Sequence, residues 1–311
     1  MPRWSPKGLH CYVTGGSQGL GFEVAQLLVR EGAHVSIVAR DQAKLDAALR
    51  KLEESRVVDE QVLRAYAFSL DSAEGAQAAL EAASSAHEGR VPDALFLCAG
   101  SARPGFFVEE TPESLKRAFD NVYWVQAFTA YAGARAYAKQ RVKNGKIVFV
   151  SSTLGFTGLV GYSSYAPAKH ALRGLADTLR SELALYTTSV QIYFPPTMKS
   201  PGYEEENRTK PKITLQVEEG DGSAISCADA ARGMLNGVKR GYAHISSDFQ
   251  NDVFRSSMRG ATPYNNIIWD VIHSCIGSIG LVQWRHGVDK LVAAHRSEHE
   301  KYLQQKGFWD Q

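Results

Sequence analysis

The chain has 311 residues, of which 44% are hydrophobic and 22% charged, enough apolar material for one large α/β domain or two small ones. Its formal net charge of +2, with no long basic run, argues against a nucleic-acid binder. Cys11, Cys98, Cys227 and Cys275 are scattered without metal-ligand spacing, so free thiols, a reducing compartment and no metal site are expected.

No apolar signal-peptide core is expected ahead of the first strand. Residues 9–14 are short and apolar, like a buried parallel strand. A TGGSQGLG run follows, with Gly15, Ser17, Gly19 and Gly21 in it. Residues 22–31 then place Val24, Leu27 and Leu28 at helical spacing before Gly32, a C-cap glycine. Residues 34–39 read as a second apolar strand. Strand, glycine loop, helix and strand make a nucleotide-binding βαβ unit, whose backbone N–H groups and helix N-terminus favour phosphate.

Arg40 follows the second strand directly and Lys44 stands one helical turn on. Cations there suit the 2′-phosphate of NADP(H), whereas the neighbouring Asp41 is the residue type an NAD site uses on the ribose. The two cations outweigh Asp41, and NADPH is the expected cofactor.

A helix at 41–54, a strand at 61–70, a helix at 73–87 and a strand at 94–97 continue the alternation. The expected fold is α/β: a Rossmann-like doubly wound parallel sheet of about seven strands, helices on both faces, and a C-terminal helical extension. Ligands in such sheets sit at the carboxyl ends of strands, so Gly15, Arg40, Leu70, Gly100 and Ser152 are expected to converge. Residues 112–137 read as one long helix interrupted only by Asn121, a modest helix former that competes with the backbone for hydrogen bonds.

Residues 146–150 read as a strand, 151–169 as the loop SSTLGFTGLVGYSSYAPAK, and 166–185 as a helix. Tyr165 and Lys169 are four apart and share one helical face, with Ser152 thirteen residues before Tyr165. A phenol, an ammonium and a hydroxyl brought together make a proton-donating site for a carbonyl.

After a strand at 191–194 and Pro195-Pro196, residues 197–226 are rich in charge, glycine and proline and are expected to form a long lid loop. Its Glu204, Glu205 and Glu206 read as a solvated acidic run, or alternatively as a face for an amine. A helix at 226–240 and a strand at 242–246 complete a domain of residues 1–250, leaving 251–311 as the extension. Residues 265–284 are apolar with Trp269 and Trp284 toward the ends, but Asp270 and His273 interrupt them. A spanning helix needs ~20 predominantly apolar residues, so an interfacial helix is expected, or one packed on the domain or on a dimer partner. Arg285, Lys290, Arg296 and Lys301 lie where they could touch anionic lipid, and 286–311 read as a polar helix.

Thr14-Gly15-x-x-x-Gly19-x-Gly21, Asn121, Ser152 and Tyr165-x-x-x-Lys169, in this order and spacing, resemble the short-chain dehydrogenase/reductase family over roughly residues 7–246. The resemblance implies hydride transfer from NADPH to a ketone, with Tyr165 as general acid and Ser152 donating to the oxyanion; Lys169 as a cation, with the positive nicotinamide of the oxidised complex, is expected to lower the Tyr165 pKa. It also implies that Lys169 holds the nicotinamide ribose and Asn121 a water feeding Lys169. Leu70 is to meet the adenine through its backbone, and Ser200 the nicotinamide carboxamide. Homo-oligomers built on the long helices after the fourth and fifth strands are implied too. Departures are Cys98 where asparagine is common, and Ser69-Leu70 where Asp-Val is common.

The run PGYEEENRTKP at 201–211 resembles the lid of members that act on a long-chain amino-ketone lipid at the cytoplasmic face of the endoplasmic reticulum membrane. Another lipid, steroid or retinoid ketone is the alternative substrate. A non-catalytic NADP sensor or scaffold is the alternative of another class.

Overall fold

A computed structural model describes residues 3–219 and 224–310. The first half runs β1 (His10–Thr14), α1 (Gly19–Arg30), β2 (His34–Ala39), α2 (Gln42–Glu53), β3 (Leu63–Ala67), α3 (Ala73–Ser85) and β4 (Ala94–Leu97). Then come α4 (Pro112–Phe119), α5 (Val125–Gln140), β5 (Lys146–Val150), α6 (Tyr165–Glu182) and β6 (Ser189–Tyr193). The lid segment contains β7 (Met198–Lys199), α7 (Pro201–Asn207), α8 (Lys212–Glu219) and β8 (Ile225–Ser226). The chain continues through α9 (Cys227–Arg240), β9 (His244–Ile245), α10 (Phe249–Ser257), α11 (Ile267–Ala294) and α12 (Arg296–Gln305).

Seven strands form one parallel sheet in the order β3-β2-β1-β4-β5-β6-β9. Successive strand residues point to opposite faces, and β1 shows the consequence. Cys11 and Val13 enter a core with Val24 of α1, Leu45 of α2 and Met234 of α9, while Tyr12 enters the other with Leu80 of α3, Tyr137 of α5 and Leu172 of α6. Every residue of β1 and β5 is buried, as a sheet covered on both faces requires.

Four expectations change. The stretch at 112–137 is two helices joined by a π-helical turn, Asp120–Trp124, which contains Asn121. The lid is not a loop: Ser200 caps α7, and the short β7–β8 pair holds its two ends together, Met198 opposite Ile225. Residues 220–223 of the expected lid lie outside the described residues. Helix α10, unforeseen, begins at the cap Asp248 and buries Phe254 in the core.

The fourth change concerns the apolar C-terminal stretch. Helix α11 is 28 residues long, running past Trp284, and is apolar and long enough by composition to cross a membrane. Asp270 does not interrupt its outer face. It turns inward and takes two hydrogen bonds from Arg255 of α10, at 2.7 and 3.0 Å. The outer face leaves Ile267, Ile268, Trp269, Ile276, Ile279 and Val282 exposed.

At the amino-terminal edge of the sheet, the buried His10 ring stacks on His87 at 3.7 Å, and His34 meets His87 edge-on. Burial, then the neighbouring His87, His34 and Arg90, push His10 down to about 3. A histidine whose folded pKa is depressed contributes stability above its unfolded value of about 6.5, and that contribution is lost as pH falls toward the folded value. Unfolding in urea is therefore expected to show a loss of about 2 kcal/mol from His10 between pH 7.5 and pH 5. The loss should shrink in His10→Gln; equal pH dependence in both proteins would contradict it.

Candidate active site

A cleft of about 500 Å³ lies along the carboxyl ends of the strands. Gly15, Arg40, Leu70, Gly100 and Ser152 all line it, so the expected convergence holds. At one end stands the turn between β1 and α1. Gln18, at the N-cap of α1, gives no side-chain cap, so the first N–H groups of the helix are left for an anion. Gly19 has φ +59, and a Cβ there would project toward the Ser200 side chain, 3.7 Å away. At Gly21 a Cβ would lie 2.4 Å from the Gly15 carbonyl oxygen, so only glycine allows this tight a turn. Ser17 also faces the cleft.

Arg40 and Lys44 line the cleft with exposed side chains. Asp41 is engaged as the N-cap of α2, its carboxylate accepting from the Lys44 N–H at 3.1 Å. Leu70 is buried against the other wall. These residues fit a dinucleotide: a phosphate seat at α1, cations at the far ribose and an apolar wall beside it. The Thr14 hydroxyl accepts from the Ala99 N–H at 3.1 Å, joining β1 to the end of β4. Burial pushes the Cys98 thiol up to about 12, so it stays protonated.

The two adjacent serines separate cleanly. Ser151 is buried and donates to the Lys169 carbonyl at 3.0 Å, holding α6. Ser152 accepts from the Leu154 N–H at 3.2 Å, and its hydroxyl acts on Tyr165 to favour the phenolate. Tyr165 is the first residue of α6, and Lys169, one turn on, is buried with Nζ 5.4 Å from the Tyr165 ring centre.

The Lys169 ammonium donates to the Val150 carbonyl at 2.9 Å. Burial lowers its pKa to about 7, with Cys98 opposing. Tyr165 shifts the opposite way from Lys169. Burial pushes its hydroxyl above the usual range, Glu206 adds to that, and only the Ser152 hydrogen bond offsets it. Desolvation disfavours the charged form of both groups, and a lysine already weakened by burial does not reverse it.

Asn121 lines the cleft from the π-helical turn, and its carbonyl accepts from the Ser101 N–H at 3.3 Å. Two positioning residues went unread in the sequence. Gln126 of α5 is buried and bonds both backbone groups of Val150, at 2.9 and 3.0 Å. Asn251 of α10 accepts from the Thr153 hydroxyl at 2.6 Å and donates to the Phe194 carbonyl at 3.2 Å, bracing the loop after Ser152. A polar residue on an otherwise apolar helix face was the available signal for Gln126.

The lid contributes a buried charge cluster. Of the acidic run, Glu204 and Glu205 are exposed, and Glu205 pairs with Arg208. Glu206 turns inward. The Tyr162 hydroxyl bonds Glu206 and, at 2.6 Å, Glu218 of α8. Lys210, its side chain 0% exposed, bridges Glu206 at 3.0 Å and Glu218 at 2.6 Å. Both carboxylates line the cleft. Ser200 also lines it, its oxygen accepting from the Tyr203 N–H at 3.1 Å.

A nucleotide-binding sheet whose cleft holds a serine, a tyrosine and a lysine in these relations is that of a nicotinamide-dependent oxidoreductase. The family model described as short chain dehydrogenase matches residues 10–211, and the chain belongs to that family. It is 40% identical to the 3-ketodihydrosphingosine reductase TSC10 of Cryptococcus neoformans, over 99% of this chain and 93% of that one. It is 36% identical to the 3-dehydrosphinganine reductase of Danio rerio, over 71% of this chain and 67% of that one. Among solved structures, a short-chain dehydrogenase from Sphingobium yanoikuyae in complex with NADPH superimposes with a TM-score of 0.64 at 25% identity, covering 76% of this chain and 87% of that one.

The buried cluster makes a clear prediction. Lys210→Met leaves Glu206 and Glu218 facing each other without their cation, and breaking a buried ion pair costs about 3 kcal/mol. Urea unfolding should record a loss of that order, together with faster proteolysis between residues 201 and 219. Unchanged stability and protease resistance would contradict it.

Proposed function

We propose that the protein reduces the C3 ketone of 3-ketodihydrosphingosine to dihydrosphingosine with NADPH. The observation that carries this reading is one cleft in which Ser152, Tyr165 and Lys169 lie beside two lid carboxylates, Glu206 and Glu218. The substrate's amino head calls for negative charge and its carbonyl for proton donors. The Cryptococcus and Danio relatives are named as reductases of that ketone.

A bound NADPH supplies the hydride. Tyr165 gives its proton to the carbonyl oxygen as negative charge develops there. Ser152 donates a hydrogen bond to that oxygen, its own lone pair being engaged by the Leu154 N–H. Lys169, at about 7, is set to exchange a proton near neutrality, and Asn121 holds a water that feeds it. Gly15, Ser17, Gly19 and Gly21 seat the phosphates. Leu70 meets the adenine, Lys169 the nicotinamide ribose and Ser200 the carboxamide.

The preference for NADPH rests on Arg40 and Lys44, since Asp41 is already engaged as a helix cap. The lipid substrate and the exposed apolar face of α11 support placement on the cytoplasmic face of the endoplasmic reticulum membrane. Exposed Trp124 and Tyr131, beside and on α5, support a homo-oligomer.

Tyr165→Phe should lower turnover of 3-ketodihydrosphingosine at least about a hundredfold while leaving NADPH binding, read by fluorescence titration, nearly unchanged. Normal turnover would rule the mechanism out. Arg40→Ala should raise KM for NADPH about tenfold or more with little change for NADH; equal effects on both would remove the phosphate contact. Vesicle sedimentation of the full chain should weaken when Ile276→Asp and Ile279→Asp are combined, and equal sedimentation would exclude α11 as the contact.

A further inference from the structure

The cleft lining beyond Tyr165 is of two kinds. One is the pair of lid carboxylates already described. The other is apolar, supplied by Leu159, Val217, Phe254 and Trp284. Leu159 follows the catalytic loop, Val217 is on the lid helix α8, Phe254 on α10 and Trp284 on α11. Four separate elements thus make one greasy surface, and α11 is the one whose outer face is apolar and exposed.

The placement of Trp284 is fixed from three directions. Its ring meets Phe254 edge-on at 5.4 Å. The next residue, Arg285, donates to the Thr157 hydroxyl at 3.0 Å and to the Gly158 carbonyl at 2.5 Å. Those two residues belong to the loop that follows Ser152, so the register of α11 is set against the catalytic loop itself. Helix α11 also packs on α8. Beyond Trp284 its outer face is apolar and exposed, with Ile279 at 66% and Val282 at 67%.

We propose that Trp284 and Val217 form the port through which the hydrocarbon tail of the substrate leaves the cleft, and that Trp284 sets the preference for a long chain. The inference rests on the substrate reading above. A ketone next to an amino head has its tail beginning at the carbonyl's other side. With the head toward Glu206 and Glu218, the tail faces the apolar wall. From there it passes Trp284 and continues along the outer face of α11. Burying methylenes against that wall favours long chains over short ones by a fixed increment for each buried group, and the wall offers nothing to the carbonyl or the head.

The test uses the full chain, NADPH oxidation, and two 2-amino-3-ketones that differ only in tail length. Trp284→Ala should lower kcat/KM for the long-chain ketone about tenfold, chiefly through KM, and leave the short-chain ketone unchanged. Trp284→Phe should restore most of the long-chain value. Thermal unfolding and NADPH titration report whether the variant is folded. If Trp284→Ala fails to fold, Val217→Asn gives the same comparison from the α8 residue of the same wall. Equal losses on both ketones, or no loss on the long one, overturn the port. If the unaltered protein reduces neither ketone, the substrate reading falls and the port with it; reduction of both with equal losses removes the port alone.

Discussion

The carbonyl of Val150, at the end of β5, accepts from the buried Lys169 ammonium and from the Gln126 amide. The Gln126 oxygen in turn accepts the Val150 N–H. Three elements, β5, α5 and α6, are therefore locked at one residue, Val150. An unpaired ammonium in this core would be prohibitive, and the shared carbonyl makes its burial tolerable. Because Lys169 is fixed there, Tyr165 one turn earlier is fixed too, and Ser152 follows two residues after Val150. Ser151, bonded back to the Lys169 carbonyl, closes the circuit.

Around that point the electrostatics are those of a dry site. Burial drives Lys169 down and Tyr165 up, separating two groups that ordinarily hold their protons about equally tightly. The lid adds to the same effect. Glu206, held in by Tyr162 and Lys210, bears on the Tyr165 hydroxyl from across the cleft. The lid residues thus influence the acid strength of the site as well as covering it.

The sheet was legible because its strands leave a local mark. Residues 34–39, 94–97 and 146–150 are short apolar runs between turns, and they are strands with those bounds. Tyr165, Lys169 and Ser152 were legible by spacing, since one helical turn decides which side chains are neighbours. What was missed depends on partners distant in sequence. The Asp270 that interrupts an apolar run is neutralised by Arg255, and Glu206 is set apart from its fellows by Lys210 and by Tyr162, forty-four residues away. Helices α7 and α8 hid behind proline and charge, because their stability comes from the cluster they enclose and from the β7–β8 clasp.

The ion pair between Arg255 and Asp270 has a mechanical consequence. It grips the first turn of α11, and Arg285 grips the same helix fifteen residues later on the catalytic loop. At 1.5 Å per residue the two grips are about 22 Å apart. A rod clamped at two such points cannot roll about its long axis. The bearing of its apolar side relative to the mouth of the cleft is thereby constant, and any oily plane on which α11 came to rest would meet the enzyme in a single heading.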